Sequence, residues 1–142
     1  MTWTYQNNII DELPEDCIAF VYLITNIING RMYVGKKLAH FSKTTYKVVK
    51  QKNGIKKKKK IRSKVPSDWI IYYGSSIELT ADIAKFGSHN FTREILHYCA
   101  SKAVASYIEA REQFERKVLE STDYYNGIIS CKIHQTHIKN KL

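Results

Sequence analysis

The most conspicuous absence in this sequence is that of acidic charge over one long stretch. Between Cys17 and Ser67 there is no aspartate or glutamate, although the same stretch contains fourteen lysines and arginines. All thirteen acidic residues lie elsewhere, so the net charge of +10 is concentrated in one part of the chain. Interspersed charges would serve solubility better than segregated charge of one sign. The segregation therefore indicates a surface that attracts a polyanion, and we expect the partner to be a nucleic acid.

Long hydrophobic runs are also missing. No apolar run approaches the roughly 20 residues that a membrane-spanning helix needs, so we expect no membrane partner. The acidic N-terminal segment has no hydrophobic region typical of a secretory signal, and we expect a cytoplasmic protein. The cysteines are few, odd in number and widely scattered, which excludes a disulfide framework and indicates reduced thiols. They are Cys17, Cys99 and Cys131.

The order of the predicted elements indicates a small α+β domain. Residues 18–25 are almost continuously apolar and predict a buried strand, and Asn29-Gly30 predicts a turn into the returning strand of an antiparallel hairpin. The segment "NFTREILHYC" predicts a third strand. Helices are expected after Ser75 and after Ser101, whose hydroxyls suit N-caps. The predicted fold is a small antiparallel or mixed three-stranded sheet flanked by helices.

The predicted organisation has one domain with an insert. We assign residues 1–17 to an N-terminal extension, 18–129 to the domain and 130–142 to a C-terminal tail. Within the domain, residues 38–67 form a basic insert, which is either a hairpin arm or a loop that orders on a partner. The segment "DWIIYYG" predicts a short strand or an extended segment, and "YYNGIISCKI" predicts a turn and another short strand.

Two tyrosines of the predicted hairpin share a face. If the hairpin centres on the Asn-Gly turn, Tyr33 lies opposite Asn26 and Lys37 lies opposite Tyr22. The two tyrosines are then offset by four residues, roughly 13 Å along the strands. A longer loop with shifted pairing could bring them directly opposite each other without changing the face, whereas a register shift by one would separate them unless a bulge compensates. Two phenols and a lysine could handle a phosphate, since phenols donate hydrogen bonds and a cation neutralises charge at phosphorus. Half-buried strand aromatics would produce the same pattern.

Four motifs in order resemble the GIY-YIG nuclease family. "FVY" and "YVG", eleven residues apart, resemble the paired tripeptides that name the family, and "GSSIELTADIAKFGSHNFTREILHYC" is similar to its middle helix and third strand. "EAREQFERKVL" resembles the helix with the metal-binding glutamate, and "YYNG" resembles the closing "YN". The resemblance covers residues 18–129 and is closest to small stand-alone members from bacteriophages and mobile elements. It implies a divalent-metal-dependent DNA endonuclease of GIY-YIG-like fold, acting as a monomer or homodimer.

The resemblance implies a role for each matching residue. Tyr22 would be the general base or would position the attacking water, and Tyr33 would contact phosphate or water. Gly35 would let the substrate approach the backbone. Glu112 would bind the metal, and Asn126 would support the architecture of the site.

A single carboxylate is chemically sufficient for the implied metal. Mg²⁺ (or Mn²⁺) prefers oxygen ligands and can be held by one carboxylate together with waters and a substrate phosphate. The family match favours Glu112, and Glu109 on the same predicted helix is the rival ligand. A structural Zn²⁺ is a weaker alternative, because its candidate ligands form an incomplete signature. These ligands are Cys131, His134 and His137.

The sequence departs from the family at two places. The first motif begins with Phe20 where the family has glycine, and the helix with the family's essential arginine is replaced by "GKKLAH" and the insert. Strand parity favours Lys37 for the positive role, and His40 could transfer protons. The full set of candidates is Lys36, Lys37, His40 and Arg62.

The same departure keeps a second function open, a nucleic-acid-binding protein that retains the fold and has lost activity. In either case we expect DNA-backbone contacts from the second motif and from the run of lysines in the insert. The predicted contact residues are Gly35, Lys36, Lys56, Lys57, Lys58, Lys59 and Lys60.

Overall fold

The computed structural model describes residues 2–142. It contains a five-stranded mixed sheet, a separate two-stranded ribbon and two α-helices. The strands of the sheet run in the order β2-β1-β7-β3-β4, with β1 parallel to β7 and every other neighbouring pair antiparallel. The elements are β1 (Trp3–Tyr5), β2 (Asn8–Ile10), β3 (Ala19–Asn26), β4 (Met32–Leu38), β5 (His40–Lys50), β6 (Lys56–Pro66), α1 (Ile77–Phe86), β7 (Phe91–Cys99) and α2 (Lys102–Glu115).

The sheet has five strands where the sequence predicted three. The three predicted strands are β3, β4 and β7, and the two others come from the segment that we assigned to an N-terminal extension, whose first residue lies outside the described part. Trp3 of β1 is 2% exposed, and its indole nitrogen donates a hydrogen bond to the carbonyl of Trp69 at 2.7 Å. A three-residue strand that pairs with a segment far along the chain leaves no local periodicity to read.

Alternation along β3 sends successive side chains to opposite faces of the sheet, and one helix covers each face. Tyr22 and Phe20 point to the face on which Leu79 of α1 packs, together with Trp3 and Phe91. The other face of the sheet packs against α2. Its buried residues include Val21, Leu23, Val34, Val104, Ala105 and Ile108. Because β4 is the last strand at one edge of the sheet, side chains from both faces of the sheet can meet beside it.

The helix boundaries follow local capping chemistry. The hydroxyl of Ser76, one residue later than expected, accepts a hydrogen bond from the Leu79 amide at 3.3 Å, and Ser101 caps α2 as predicted. Gly87 ends α1 with a φ of 85°, a conformation that favours glycine. Neither α-helix is long and apolar enough to cross a membrane, nor is any other helix in residues 2–142.

Two predicted strands are not formed. The segment "DWIIYYG" contains a short 3-10 helix, Trp69–Ile71, because Ser67 and Asp68 turn the chain back toward the core. The closing segment makes one bridge between Tyr124 and Met32 and then runs beside β4 without becoming a strand.

The basic insert is a hairpin and not a loop. Strands β5 and β6 pair over eleven residues each, and a turn closes them with hydrogen bonds between Gln51 and Ile55 and between Gly54 and Gln51. Every residue from 41 to 64 is exposed to solvent. We call residues 40–66 the basic ribbon.

Candidate active site

The hairpin that holds the two motif tyrosines has a register different from the predicted one. Tyr22 lies opposite Gly35, and Tyr33 lies opposite Ile24 and not Asn26. The loop spans residues 27–30 and is closed by the Asn26 amide, which donates to the Arg31 carbonyl, so it is longer than a two-residue turn. The tyrosines still share a face, as predicted, but their offset is two residues and their ring centroids are 6.2 Å apart.

Gly35 is required by the packing of the tyrosines. A Cβ atom at this position would overlap the hydroxyl of Tyr22 and lie 2.9 Å from the ring of Tyr33. The pairing of β3 with β7 also shifts at Tyr22, where the register moves from Val21 opposite His97 to Tyr22 opposite Ile95. Such bulges re-aim a side chain, and here the bulge lies beside the first-motif tyrosine.

A third phenol completes the cluster. The ring of Tyr72 lies 6.0 Å from that of Tyr22, and the two side chains are hydrogen-bonded. Burial, with the neighbouring phenols as a smaller cause, raises the pKa of Tyr22 well above its ordinary value. Burial also raises the pKa of Tyr33, and its hydrogen bond with Ser75 only partly opposes this. Both motif phenols are therefore neutral at physiological pH.

Tyr72 is not among the site residues that the sequence predicts. The segment around it predicts a short strand or an extended segment, in which a tyrosine pair is unremarkable. The position of "YYG" directly before a predicted helix start is the feature of the sequence that could have indicated a site residue here.

The second-motif tyrosine lies at an open groove of about 700 Å³ beside β4, whereas Tyr22 is buried behind it and does not line the groove. Tyr33 and Lys36 reach it from β4, Glu109 and Gln113 reach it from α2, and Asn126 reaches it from the closing segment. The groove therefore brings together a phenol, an ammonium group and two carboxylates, of which Glu78 of α1 is already paired with Arg31 at 2.7 Å.

Glu109 is the carboxylate of α2 in this groove. It is half-buried, and the backbone amide of Lys36 donates a hydrogen bond to it. Burial raises the pKa of Glu109, and the amide and the charge of Lys36 oppose this shift without cancelling it. An ionised carboxylate at this position is under-compensated by the protein, which leaves it able to gain from a cation.

Glu112, which the sequence favoured, lies elsewhere. Its two carboxylate oxygens are each 3.0 Å from a donor, one from His97 Nε2 of β7 and the other from Arg116 Nε. Burial alone would raise the pKa of Glu112, but the hydrogen bonds from His97 and Arg116 outweigh burial and lower it. Glu112 is not among the residues that line the groove, so it does not meet Tyr33 and Lys36 there.

We expect Glu112→Gln to lower the free energy of unfolding by about 1–3 kcal/mol, because glutamine keeps one acceptor oxygen for His97 or Arg116 and turns its amide NH2, a second donor without charge, toward the other. The lowered pKa means that this contribution is present above the pKa of an ordinary glutamate and is lost as the pH falls through the lowered value. Urea unfolding of both proteins near neutrality and in acid measures this. A difference in stability that persists unchanged in acid would contradict the interpretation.

The two lysines that follow Gly35 point to different places. Lys36 lines the groove, and its ammonium group donates to Ser106 Oγ at 2.6 Å. Lys37, the predicted cation, is on the face of Tyr22 as parity requires, but its Nζ pairs with Asp68 at 2.6 Å and lies 3.9 Å from the ring centre of Tyr72. The side chain of Lys37 is only 11% exposed, so it is shielded from a ligand in the groove.

The two remaining cationic candidates are not in the groove. His40 lines a separate cavity of about 260 Å³ with Leu38 and Lys102. Arg62 is exposed on the basic ribbon, opposite Thr44.

Asn126 attaches the closing segment to the edge of the sheet. Its Oδ1 accepts a hydrogen bond from the Val34 amide at 3.0 Å, and its Nδ2 donates to the Val34 carbonyl at 2.8 Å. Gln113 of α2 donates to the same carbonyl at 3.2 Å. These bonds satisfy the otherwise open edge of β4 and hold one wall of the groove.

The donor set fits a hard divalent cation and not zinc. In residues 2–142 no three histidine, cysteine, aspartate or glutamate side chains lie close enough together to form a metal site. The zinc candidates are therefore not assembled, and the thiol of Cys131 instead faces the Ser106 carbonyl at 3.6 Å. The oxygen of Glu109 suits Mg²⁺, which accepts one carboxylate if waters and a phosphate complete its coordination.

Comparison with known proteins agrees with this architecture. A family model described as "Putative endonuclease segE, GIY-YIG domain" matches residues 3–129. The chain is 32% identical over 109 residues to a protein of Enterobacteria phage T4 described as "Putative endonuclease segD". That match covers 77% of this chain and 37% of the phage protein, so the chain spans well under half of this relative's length. No solved structure matches the chain. The chain belongs to the GIY-YIG endonuclease-domain family, as its paired tyrosine motifs indicated.

Proposed function

We propose that the protein is a divalent-metal-dependent endonuclease that hydrolyses DNA phosphodiester bonds in the cytoplasm of a bacterial host. The observation that carries this proposal is the convergence of Tyr33, Lys36 and Glu109 on one groove. Hydrolysis of a phosphodiester needs a positioned water, a hard cation and a compensating positive side chain. The family description and the phage relative, both named as endonucleases, support the same reaction class.

Glu109 is the residue that we propose to hold the metal. Among residues 2–142, the hydrogen-bond donor to its carboxylate is the Lys36 amide, which leaves oxygen lone pairs for a cation. When bound, Mg²⁺ would neutralise charge on the phosphate and polarise its oxygens. Glu112 is not suited to this role, because both of its oxygens already accept hydrogen bonds.

The two motif tyrosines have different parts in the proposed mechanism. Tyr33 lines the groove and, as a neutral phenol, can donate a hydrogen bond to a phosphate oxygen or hold the attacking water. Tyr22 is 1% exposed and carries a raised pKa, so it is poorly suited to act as a phenolate base. We propose that Tyr22 positions Tyr33 through ring packing and is itself held by its hydrogen bond to Tyr72.

Lys36 is the proposed substitute for the arginine of the family. Its ammonium group is exposed, lines the groove and is positioned by Ser106. A positive charge fixed where negative charge develops on the phosphate stabilises the transition state more than the ground state. Lys37 could not supply this without breaking its pair with Asp68.

Removal of divalent cations is expected to stop cleavage and leave binding in place. Supercoiled plasmid incubated with the protein should be nicked or linearised in Mg²⁺ or Mn²⁺ and should stay intact in EDTA. Binding to the same DNA, measured by gel shift in EDTA, should persist because the lysines and the arginine of the basic ribbon attract the phosphates directly, without a metal ion.

The alternative function, a DNA-binding protein without catalysis, gives a different result in the same assay. It predicts binding in EDTA and no cleavage with any divalent metal. A protein that cuts equally well in EDTA would contradict the proposed metal dependence, and one that neither binds nor cuts DNA would contradict both functions.

A further inference from the structure

The basic ribbon carries charge on both of its broad faces. The pairing places Lys43, Lys47, Lys57 and Lys59 on one face. The other face carries Lys50, Lys56, Lys58, Lys60, Arg62 and Lys64. A ribbon lying flat on one anionic surface would leave one of these sets unused. Charge on both faces instead suits an element that lies between two anionic walls.

The ribbon is also electrostatically frustrated by itself. Lys47 lies directly opposite Lys59, and Lys50 lies directly opposite Lys56. Like charges in such positions destabilise a strand pair, and residues 18–66 contain no acidic residue that could neutralise them. A two-stranded hairpin has little stability of its own. The ribbon therefore gains from a polyanion in contact with it along its length.

The exposed apolar side chains of the ribbon point to a groove with base edges at its floor. Tyr46, Val48 and Ile55 lie toward the tip and are 66%, 58% and 62% exposed. Phosphates alone would not cover them, whereas the thymine methyl groups in the major groove would. The major groove of B-DNA, about 12 Å wide, admits a two-stranded ribbon without deformation, whereas the minor groove, about 6 Å wide, takes one only if the duplex is widened or bent.

The root of the ribbon is next to the phenol cluster. Lys37 Nζ lies 5.0 Å from the ring centre of Phe41 in β5 and 3.9 Å from that of Tyr72. Eleven strand residues extend about 36 Å, close to one turn of B-DNA. A ribbon in the groove therefore reaches about one helical turn away from the phenols.

We propose that the basic ribbon enters the major groove of B-form duplex DNA, where its two faces contact the phosphates of both strands over about one helical turn on one side of the cleaved bond. The position of the ribbon relative to the cleaved bond rests on the proposed endonuclease function, whereas the entry of the ribbon into the major groove does not. Binding is measured in EDTA, so a failure of cleavage in Mg²⁺ would overturn the endonuclease proposal and leave the ribbon proposal standing.

The first experiment identifies the groove. Dimethyl sulfate methylates guanine N7 in the major groove and adenine N3 in the minor groove, so one reagent reports on both. With saturating protein on a duplex fragment in EDTA, we expect guanine N7 to be protected and adenine N3 to stay reactive. Protection of adenine N3 alone would overturn the proposal. A duplex RNA of the same length should bind about tenfold or more weakly, because its major groove is too narrow for a ribbon; equal binding would also overturn it.

The second experiment measures how far the basic ribbon extends along the DNA. Deleting the two residue pairs Tyr46-Lys47 and Lys59-Lys60 keeps the alternation of faces and shortens the ribbon by about 7 Å, or about two base pairs. The shortest duplex bound with full affinity should then be about two base pairs shorter than for the wild type. Residues 41–64 are exposed, so the deletion leaves the core unchanged.

The matched control keeps the length of the basic ribbon and removes the charge of the three lysines that the deletion takes away. The full-length variant K47Q/K59Q/K60Q should reduce the slope of log K against log salt by up to about 2.7 and should leave the minimal duplex length unchanged. If both variants shorten the minimal duplex equally, or if neither changes length or salt slope, the ribbon does not lie in the groove and the proposal is wrong.

Discussion

Replacing Glu109 with glutamine is expected to abolish cleavage of plasmid DNA while leaving the protein folded and able to bind DNA. The expected loss is about 10³-fold, which corresponds to several kcal/mol of transition-state stabilisation by a bound cation. Glutamine keeps the size of the side chain and an acceptor for the Lys36 amide. The loss is therefore attributable to the missing negative charge. Single-turnover cleavage rates in Mg²⁺, with DNA binding measured in EDTA, test this.

Glu112→Gln is the matched control, because the two glutamates lie three residues apart on α2. Glu109→Gln should lose activity and keep its stability, whereas Glu112→Gln should lose stability and keep its activity. Glu109 has a raised pKa, so at neutral pH its ionised form lowers the stability of the folded state, and its replacement should leave the melting temperature equal or higher. Glu112 has a lowered pKa, and its replacement should lower the melting temperature while the remaining folded protein still cleaves DNA.

The reverse pattern would show that the metal is held where the sequence motif first indicated. If Glu112→Gln abolishes cleavage at an unchanged melting temperature and Glu109→Gln stays active, the groove at β4 is not the catalytic centre.

Lys36→Gln is expected to lower the cleavage rate by about 10²–10³-fold, the range observed when one preorganised donor to a developing oxyanion is removed. Affinity for DNA should fall much less, because the basic ribbon with its eleven lysines and arginines remains. The measurement is the cleavage rate at saturating protein, compared with the dissociation constant in EDTA. Lys36→Arg, which keeps the charge, should recover part of the rate.

Lys37→Gln is the control, since neighbouring strand residues face opposite sides of the sheet. It removes the ammonium group from the ring of Tyr72, and we expect a stability loss of about 1 kcal/mol with little change in cleavage rate. Loss of cleavage in Lys37→Gln with normal activity in Lys36→Gln would refute our assignment and restore the cation that strand parity favoured.

Much of the fold could be predicted from local pattern. The continuous apolar run gives β3, the Asn-Gly turn gives the hairpin, and the serine caps give the two helices, of which α1 ends at a glycine. The hairpin form of the insert was one of two alternatives, because five consecutive lysines match neither a buried strand nor a helix. The parallel pairing of β1 with β7 could not be predicted, since it depends on contact between segments far apart in the chain.

Only part of the candidate site could be predicted from local sequence pattern. The period of two along a strand placed both tyrosines on one face, and the observed register differs from the predicted one by two residues, which keeps that face. A shift by one residue would have separated them. The register itself depends on loop geometry, and the four-residue loop brought Tyr33 within 6.2 Å of Tyr22. Which glutamate of α2 faces the groove depends on where the helix crosses the sheet. Glu109 and Glu112 lie about one helical turn apart and therefore reach different partners. Glu109 lines the groove beside β4, and Glu112 contacts His97.

The sequence by itself determined the family, the paired phenols, the glycine beneath them and the segregation of positive charge, because all of these follow from residue identity, spacing and alternation. The tertiary structure alone decided which carboxylate and which lysine meet at the groove and that the basic insert stands away from the core as a ribbon. Identity and alternation are local properties of a chain. The environment that gives a carboxylate a raised or a lowered pKa is created only when distant elements pack together.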